Sequence, residues 1–325
     1  MAKIGHIGVF TSGGDSPGMN ACIRAVVRTG VYHGCKVTGF RYGYNGVIEN
    51  DSMELTASSV ANIIQRGGTM LKTARSKAFF ELPGRKKAAE TLKKSGVDAL
   101  VAIGGDGTFR GCIALHELLP LPVIGCPGTI DNDLAGTDFT IGYDTAINTV
   151  VDSIDKIRDT AESHNRVFFV EVMGRDAGLI AMRAGIGGGA EAILMPETGT
   201  DIEELVKMLK SGRQNKSSKI ILVAEGDEAG GAISISEKIK TALPDADIRV
   251  TILGHVQRGG NPTCMDRVNA SRMGYGAVTG LLEGKKGVMC GIVNGAINYI
   301  PFEKAVKHIE NPNPDFVKMM KVLAS

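Results

Sequence analysis

No Cys-x-x-Cys pair occurs in the 325 residues, and the six cysteines (Cys22, Cys35, Cys112, Cys126, Cys264 and Cys290) are widely scattered. Without cysteines or histidines clustered at ligand spacing, the chain reads as a reduced protein, not a disulfide scaffold or a zinc module. Charge of one sign is also missing. Lysine and arginine total 37 and aspartate and glutamate 35, a net +2, too little for electrostatic capture of nucleic acid or an anionic membrane. No apolar stretch nears the ~18 residues of a membrane span. The start, Met1-Ala2-Lys3-Ile4-Gly5-His6, runs into a strand-like segment without a signal-peptide core. The expectation is a cytoplasmic protein with no nucleic-acid or membrane partner. Internal repeats, charge runs and proline-rich linkers are absent too.

Apolar residues at 43% and charged ones at 22% are ordinary for a globular protein and exclude global disorder. At ~150 residues per domain the length suggests about two domains. Glycine is the excess: 43 residues, nearly twice the typical share of ~7%, with no low-complexity tract to absorb them. Either tight turns abound, or many backbone segments approach something closely.

Short apolar runs alternate with helical periods. Strands are expected at Ile4–Thr11, Lys36–Tyr42, Ala99–Gly104, Pro122–Cys126, Arg166–Val172, Ala192–Met195, Lys219–Glu225 and Ile248–Leu253. Ala99-Leu100-Val101-Ala102-Ile103 is apolar on both faces, as a parallel strand covered by helices should be. Asp15-Ser16-Pro17 predicts a cap and first-turn proline for a helix ending near Tyr32. Thr200-Asp201-Ile202-Glu203 reads as a capping box. From Tyr143 to Glu162, Ile147, Val150, Val151, Ile154 and Ile157 form one stripe of an amphipathic helix. The class is α/β with parallel sheets, a first domain change falls near Gly142, and Gly254–Asn261 marks a return crossing.

Three loops following strands carry the chemistry. Thr11-Ser12-Gly13-Gly14-Asp15-Ser16-Pro17-Gly18 is either a tight strand-to-helix turn or a phosphate cradle at a helix N-terminus. It is neither the dinucleotide fingerprint nor a Walker A loop, since no Gly-Lys-Ser/Thr follows. Gly104-Gly105-Asp106-Gly107-Thr108 repeats the arrangement, at the strand ends where open α/β sheets bind ligands. Its Asp106 is either a helix N-cap or a magnesium ligand beside a polyphosphate. In Pro127-Gly128-Thr129-Ile130-Asp131-Asn132-Asp133, carboxylates at i and i+2 fit one base and one orienting or metal-side group.

Five segments in this order, SGGDSPGMN (12–20), GGDGT (104–108), PGTIDND (127–133), VEVMGRDAG (170–178) and GHVQRGG (254–260), resemble the bacterial ATP-dependent 6-phosphofructokinase family over essentially the whole chain. The resemblance implies two Rossmann-like three-layer αβα domains with mostly parallel sheets and the active site in the cleft between them. Residues 1–142 plus about 257–306 would bind ATP, and 143–256 plus about 307–325 fructose 6-phosphate. It implies transfer of the γ-phosphoryl of ATP to the 1-hydroxyl of fructose 6-phosphate, with Mg2+ near Asp106. Asp131 matches the catalytic base, beside Thr129, Ile130 and Asp133, and Arg75 the arginine on the transferring oxygens. Gly14, Ser76, Gly105, Asp106, Gly107 and Thr108 match the nucleotide cradle, with Tyr44 either near the nucleotide or in a surface turn.

Arg166, Arg249, His255, Val256, Gln257 and Arg258 match the sugar-phosphate site. Met173-Gly174-Arg175 would wall the sugar, with Arg175 among the catalytic groups, and Glu225 would accept from the sugar hydroxyls. Arg166 and Arg249 would reach the neighbouring subunit's site in a homotetramer. Pyrophosphate-using relatives carry Asp after GGD and Lys before TIDND; Gly107 and Gly128 stand there, so ATP is the expected donor. An effector site for ADP or phosphoenolpyruvate is implied at Arg24, Arg28, Arg158, Glu191 and Lys216. Departures from the family are Ala57 in place of an arginine, an altered Arg213–Lys219 loop, and Phe80 at another arginine position, near Lys77 and Arg85. The alternatives are a pyrophosphate-dependent enzyme and a catalytically inactive sugar-phosphate sensor on the same fold.

Overall fold

The computed structural model describes residues 4–211, 218–305 and 314–324. Eleven strands run along these residues: β1 His6–Ser12, β2 Lys36–Phe40, β3 Ser52–Glu54, β4 Ala99–Gly104, β5 Val123–Pro127, β6 Val167–Val172, β7 Ala192–Leu194, β8 Lys219–Ala224, β9 Ile248–Ile252, β10 Val288–Val293 and β11 Ala296–Pro301. All eight expected strands are present, with ends moved by at most two residues. Missing from the expectation were the short edge strand β3 and the hairpin β10–β11. Asn294 and Gly295, both at positive φ, make its two-residue turn. That Asn-Gly between apolar runs was a readable hairpin signal.

The strands form a seven-stranded sheet, ordered β11-β10-β5-β4-β1-β2-β3, and a four-stranded one, ordered β7-β8-β6-β9. The second sheet is wholly parallel, and the first is antiparallel only at its outer pairs β2–β3 and β10–β11. The chain divides accordingly into two compact units. Unit 1 holds Met1–Ile130, Leu134–Thr145 and Arg258–His308; unit 2 holds Asp131–Asp133, Ala146–Gln257 and Ile309–Ser325. Ala99 through Ile103 are fully buried. Val101 and Ile103 join the cluster on one face with Ile7, Val9 and Met19; Leu100 and Ala102 join the other with Phe10, Phe40 and Phe109. Strands covered on both faces explain the unbroken apolar runs. In unit 2, Phe169, Ile221 and Val223 pack under Leu205, Leu209, Ile235 and Ile239 of two helices.

Helix starts departed from the sequence reading in two places. The first helix is Met19–Tyr32, opened by Gly18 at φ 107 with no side-chain cap, so Asp15 and Ser16 do not cap it. The left-handed turn at Gly18 needs glycine, and a Cβ there would meet Ile141 at 2.8 Å. The helix Ile202–Ser211 is capped by Asp201, whose carboxylate accepts from Glu203 N (2.9 Å) and Glu204 N (3.0 Å). Thr200 instead donates to Asp227 Oδ2 at 2.6 Å, so the N-cap falls one residue later than expected, at Asp201. The long helix runs Tyr143–His164, with Val150 and Ile154 fully buried on its stripe.

Its start is held by a residue that pattern reading did not single out. Asp266, nearly fully buried in the first turn of the helix Cys264–Leu282, accepts from Gly142 N (2.8 Å), Thr145 N (2.8 Å) and Thr145 Oγ1 (2.5 Å). In return Thr263, which caps Asp266's own helix, donates to Asp144 Oδ2 at 2.6 Å. Asp266 thus satisfies orphan N–H groups at the start of the long helix, and Thr145 Oγ1 in turn accepts from the N–H of the cap residue Thr263 at 3.1 Å. All of these residues belong to unit 1.

Candidate active site

In the first sheet β1 and β4 are neighbours, while their connections lead away to opposite sides, to β2 and to β5. The crevice outside their carboxyl ends is where open α/β sheets take ligands, and the first two glycine loops lie there. Thr108 Oγ1 donates to Ser12 O at 3.1 Å and joins the two loops. The Thr69–Ala74 segment is laced to the first: Thr11 Oγ1 donates to Lys72 O (2.8 Å), Thr73 Oγ1 to Gly13 O (2.9 Å) and Gly13 N to Ala74 O (3.3 Å). Exposed Arg75 is thereby delivered beside the Gly13-Gly14 turn. Ser76 is buried and its hydroxyl caps the helix Lys77–Phe80, accepting from Phe79 N at 3.2 Å.

Tyr44 is not a surface-turn residue. Its ring is buried, stacked on Phe79 at 3.8 Å between centroids and tilted against Phe10 at 4.9 Å. Its hydroxyl donates to Thr108 O at 2.6 Å, so it holds the second glycine loop from beneath. Burial pushes the phenol well above its ordinary range, with Cys112 adding to the rise, so it stays a donor. Phe80, at the position of a family arginine, is 80% exposed. Arg258 lies over the first loop: it donates to Asp15 O at 3.2 Å, and a Cβ on Gly14 would meet its Nη1 at 2.6 Å.

The two glycines expected to select the phosphoryl donor differ in their surroundings. A Cβ on Gly107 meets nothing within 4 Å, so a side chain there would project into open space. A Cβ on Gly128 would meet Met19 Cε at 2.9 Å and Ile103 Cγ2 at 3.1 Å. A side chain there has to displace the end of Met19 and press on Ile103.

Asp106 is the first residue of the helix Asp106–His116 and does not cap it; Gly105 stands at the cap position without a side-chain bond. The carboxylate is held by Arg110 one turn on, at 3.1 Å (Nε) and 2.9 Å (Nη2). Among the described residues no three metal-ligating side chains gather. One carboxylate at a strand end suits Mg2+, which is bound through one or two carboxylates with substrate phosphates completing the shell.

The third loop leaves β5 in unit 1, where Thr140 Oγ1 donates to Thr129 O at 2.6 Å and Ile130 is fully buried. Asp131 and Asp133 are both buried and belong to unit 2. Asp131 Oδ2 lies 3.4 Å from Arg175 Nε. Arg175 comes from the Met173-Gly174-Arg175 turn after β6 and has φ 54; Asn132 has φ 54 as well. Left-handed backbone at two non-glycine residues of one small constellation is local strain of the kind that collects at functional sites. Glu225, after the neighbouring strand β8, holds the turn by accepting from Arg175 N at 2.9 Å. Gln257, fully buried, accepts from Met173 N (3.1 Å) and donates to Gly254 O (2.9 Å). It therefore positions the turn, while His255 and Val256 beside it are exposed.

Arg166 and Arg249 start from adjacent strands and share one partner. Asp247 Oδ2 accepts from Arg166 Nε at 2.7 Å, and its Oδ1 lies 3.0 Å from Arg249 Nε. The hydrogen bond from Arg166 foremost, with Arg249 assisting, holds the Asp247 carboxyl below its ordinary value. Of the expected effector residues, Arg24 and Arg28 share a helix face in unit 1. Burial, with repulsion from Arg28, lowers Arg24. In unit 2 Arg158 donates to Gly189 O at 3.0 Å and lies 3.9 Å from buried Glu191. Ala57 is exposed. Lys216, and the Arg213–Lys219 loop up to residue 217, lie outside the described residues.

Sequence reasoning missed Asp247, Asp266 and Arg110. Asp247 and Arg110 had a local signal, an acid two residues before a strand arginine and a cation one helical turn after an acid. Asp266 had none, because its partners lie more than 120 residues away.

Three comparisons bear on this geometry. The phosphofructokinase family pattern matches residues 6–281. An ATP-dependent 6-phosphofructokinase of Cytophaga hutchinsonii is 53% identical over 98% of this chain and 97% of its own. One from Bacteroides thetaiotaomicron is 50% identical over the full length of both. Among solved structures, phosphofructokinase from Saccharomyces cerevisiae aligns with a TM-score of 0.87 at 36% identity over 98% of this chain, which spans 46% of the yeast one. A pyrophosphate-dependent phosphofructokinase from Marinobacter aquaeolei shares the fold, with a TM-score of 0.87 at 22% identity.

Proposed function

The chain belongs to the phosphofructokinase family, and from that premise we infer that it is an ATP-dependent 6-phosphofructokinase. It moves the γ-phosphoryl group of ATP to the 1-hydroxyl of D-fructose 6-phosphate, giving fructose 1,6-bisphosphate and ADP. The observation that carries the site assignment is the buried Asp131 carboxylate aligned by Arg175 at 3.4 Å on a strained turn. Phosphoryl transfer asks mainly for positioning and charge neutralisation. Asp131 takes the proton of the sugar 1-hydroxyl as the P–O bond forms. Arg175, fixed by Glu225 at its backbone, orients Asp131 and offers its remaining N–H groups to the transferring oxygens, as does Arg75.

Gly14 and the Gly105–Thr108 backbone cradle the nucleotide phosphates, with Tyr44 acting through Thr108. Asp106 is the residue that would hold Mg2+, which would supply neutralisation of the phosphate charge. Thr129, Asp133 and Met173–Gly174 line the sugar. Arg166, Arg249, His255 and Arg258 bind its phosphate, the first two across a subunit boundary in a homotetramer. Arg24, Arg28, Arg158 and Glu191 are the candidates for an ADP or phosphoenolpyruvate site. No helix among the described residues is long and apolar enough to cross a membrane, which supports the cytoplasmic assignment.

A coupled assay with either ATP or pyrophosphate as sole donor tests the reading: turnover with ATP is expected, and turnover only with pyrophosphate overturns it. Asp131→Ser should lower kcat by about 10²–10⁴-fold with little change in the KM for fructose 6-phosphate. A change confined to KM would remove Asp131 from the role of base.

A further inference from the structure

Arg166 immediately precedes β6 and Asp247 immediately precedes β9. The two strands pair in parallel from Val167 opposite Ile248, and Val167 N donates to Asp247 O at 3.1 Å. Arg166 and Asp247 are therefore cross-strand neighbours, and Arg249, two residues beyond Asp247, stands on the same face. The carboxylate lies between the two guanidiniums: Arg166 donates through Nε to Oδ2 at 2.7 Å, and Arg249 is ion-paired with Nε 3.0 Å from Oδ1. No other hydrogen bond or ion pair among the described residues occupies their four terminal Nη nitrogens. Asp247 is 42% exposed and Arg249 53%, so the trio adds little to folding stability.

We propose that Asp247 is a positioning residue for the sugar-phosphate site, holding Arg166 and Arg249 as one fork whose Nη edges face a phosphate dianion. The proposal rests on the assignment of the two arginines to that phosphate. Unheld, two long side chains of like charge, Arg166 partly buried and Arg249 exposed, repel each other and spread over more rotamers, and that freedom is lost again on every binding event. With the carboxylate between them, the fork keeps a net charge of +1 and an orientation suited to paired N–H contacts on phosphate oxygens.

The test uses the full chain, with ATP saturating and fructose 6-phosphate varied. Asp247→Ala should raise the KM for fructose 6-phosphate about tenfold, the scale of a misaligned charge-assisted contact. It should change kcat less than twofold and leave the melting temperature in place. Asp247→Glu should recover most of the loss, and adding Asp247→Ala to Arg249→Ala should raise KM by much less than it does alone. If Arg249→Ala raises KM while Asp247→Ala leaves it unchanged or lowers it, the positioning role is overturned and the phosphate assignment stands. An unchanged KM in both Arg166→Ala and Arg249→Ala overturns the phosphate assignment and the proposal with it.

Discussion

The two units hold their candidate functional loops with different material. In unit 1 the loops are shaped mainly by backbone and uncharged hydrogen bonds, with glycines where a Cβ would collide and Tyr44 and Thr108 fastening carbonyls from within; the Asp106–Arg110 pair and Arg258 over Asp15 O add charge there. In unit 2 they are shaped by charged side chains: Asp131 with Arg175, Glu225 on the Arg175 backbone, and Asp247 between Arg166 and Arg249. Two carboxylates mark the contrast. Asp266, buried in unit 1, has its pKa raised by burial, with only partial relief from its Thr145 and Gly142 hydrogen bonds. Asp247, in water in unit 2, has its pKa lowered, mainly by Arg166. The difference teaches where damage should register. A change at a packed position of unit 1 should appear first as lost stability, and one among the charged side chains of unit 2 as lost affinity or turnover.

Four substitutions in unit 1 probe that contrast. Asp266→Asn should be the most damaging, about 3 kcal/mol at neutral pH, since it strips acceptors from three buried donors. Its pH dependence has a definite sign. A raised carboxyl pKa means that the folded state holds the proton more tightly, so wild-type stability falls as pH rises from about 4 through the folded-state value. Asparagine does not titrate, so the gap between variant and wild type should narrow over that window in denaturant titrations. A widening gap would mean that Asp266 is stabilised as the anion and the contrast with Asp247 is false.

Gly128→Lys should cost about 2 kcal/mol by crowding Met19 and Ile103. Gly107→Asp, which meets open space, should leave the melting temperature in place while raising the KM for ATP at least about tenfold through repulsion of phosphate. Equal loss of stability in both would deny that only Gly107 faces the ligand. Smallest is Tyr44→Phe, which removes the bond to Thr108 O and should cost about 1 kcal/mol. Its secondary effect should fall on the KM for ATP, and an effect on fructose 6-phosphate alone would break the division between the units.

Much of this was legible in the chain. Parallel strands covered on both faces show as unbroken apolar runs, so the class and eight strands followed from periodicity. The loops that carry the chemistry announced themselves by glycine and acid at strand ends. Helix starts were less secure. Asp15 and Ser16 have the right chemistry for a cap, but the chain continues to Gly18, where a left-handed turn pressed against Ile141 sets the start. Tyr44, in Tyr42-Gly43-Tyr44-Asn45-Gly46, could be read either as a nucleotide neighbour or as a surface-turn residue, because nothing local shows that Phe10, Phe79 and Cys112 converge on it.

By itself, the sequence determined the class, the order of the loops and the kind of chemistry they can perform. These depend on periodicity and on residue types within a few positions of one another. Tertiary structure alone decided that Gly107 faces open space while Gly128 is packed, that Tyr44 works from beneath its loop, and that one carboxylate joins two arginines. Each depends on groups brought together from distant parts of the chain, where packing and register, not local preference, fix which atoms meet.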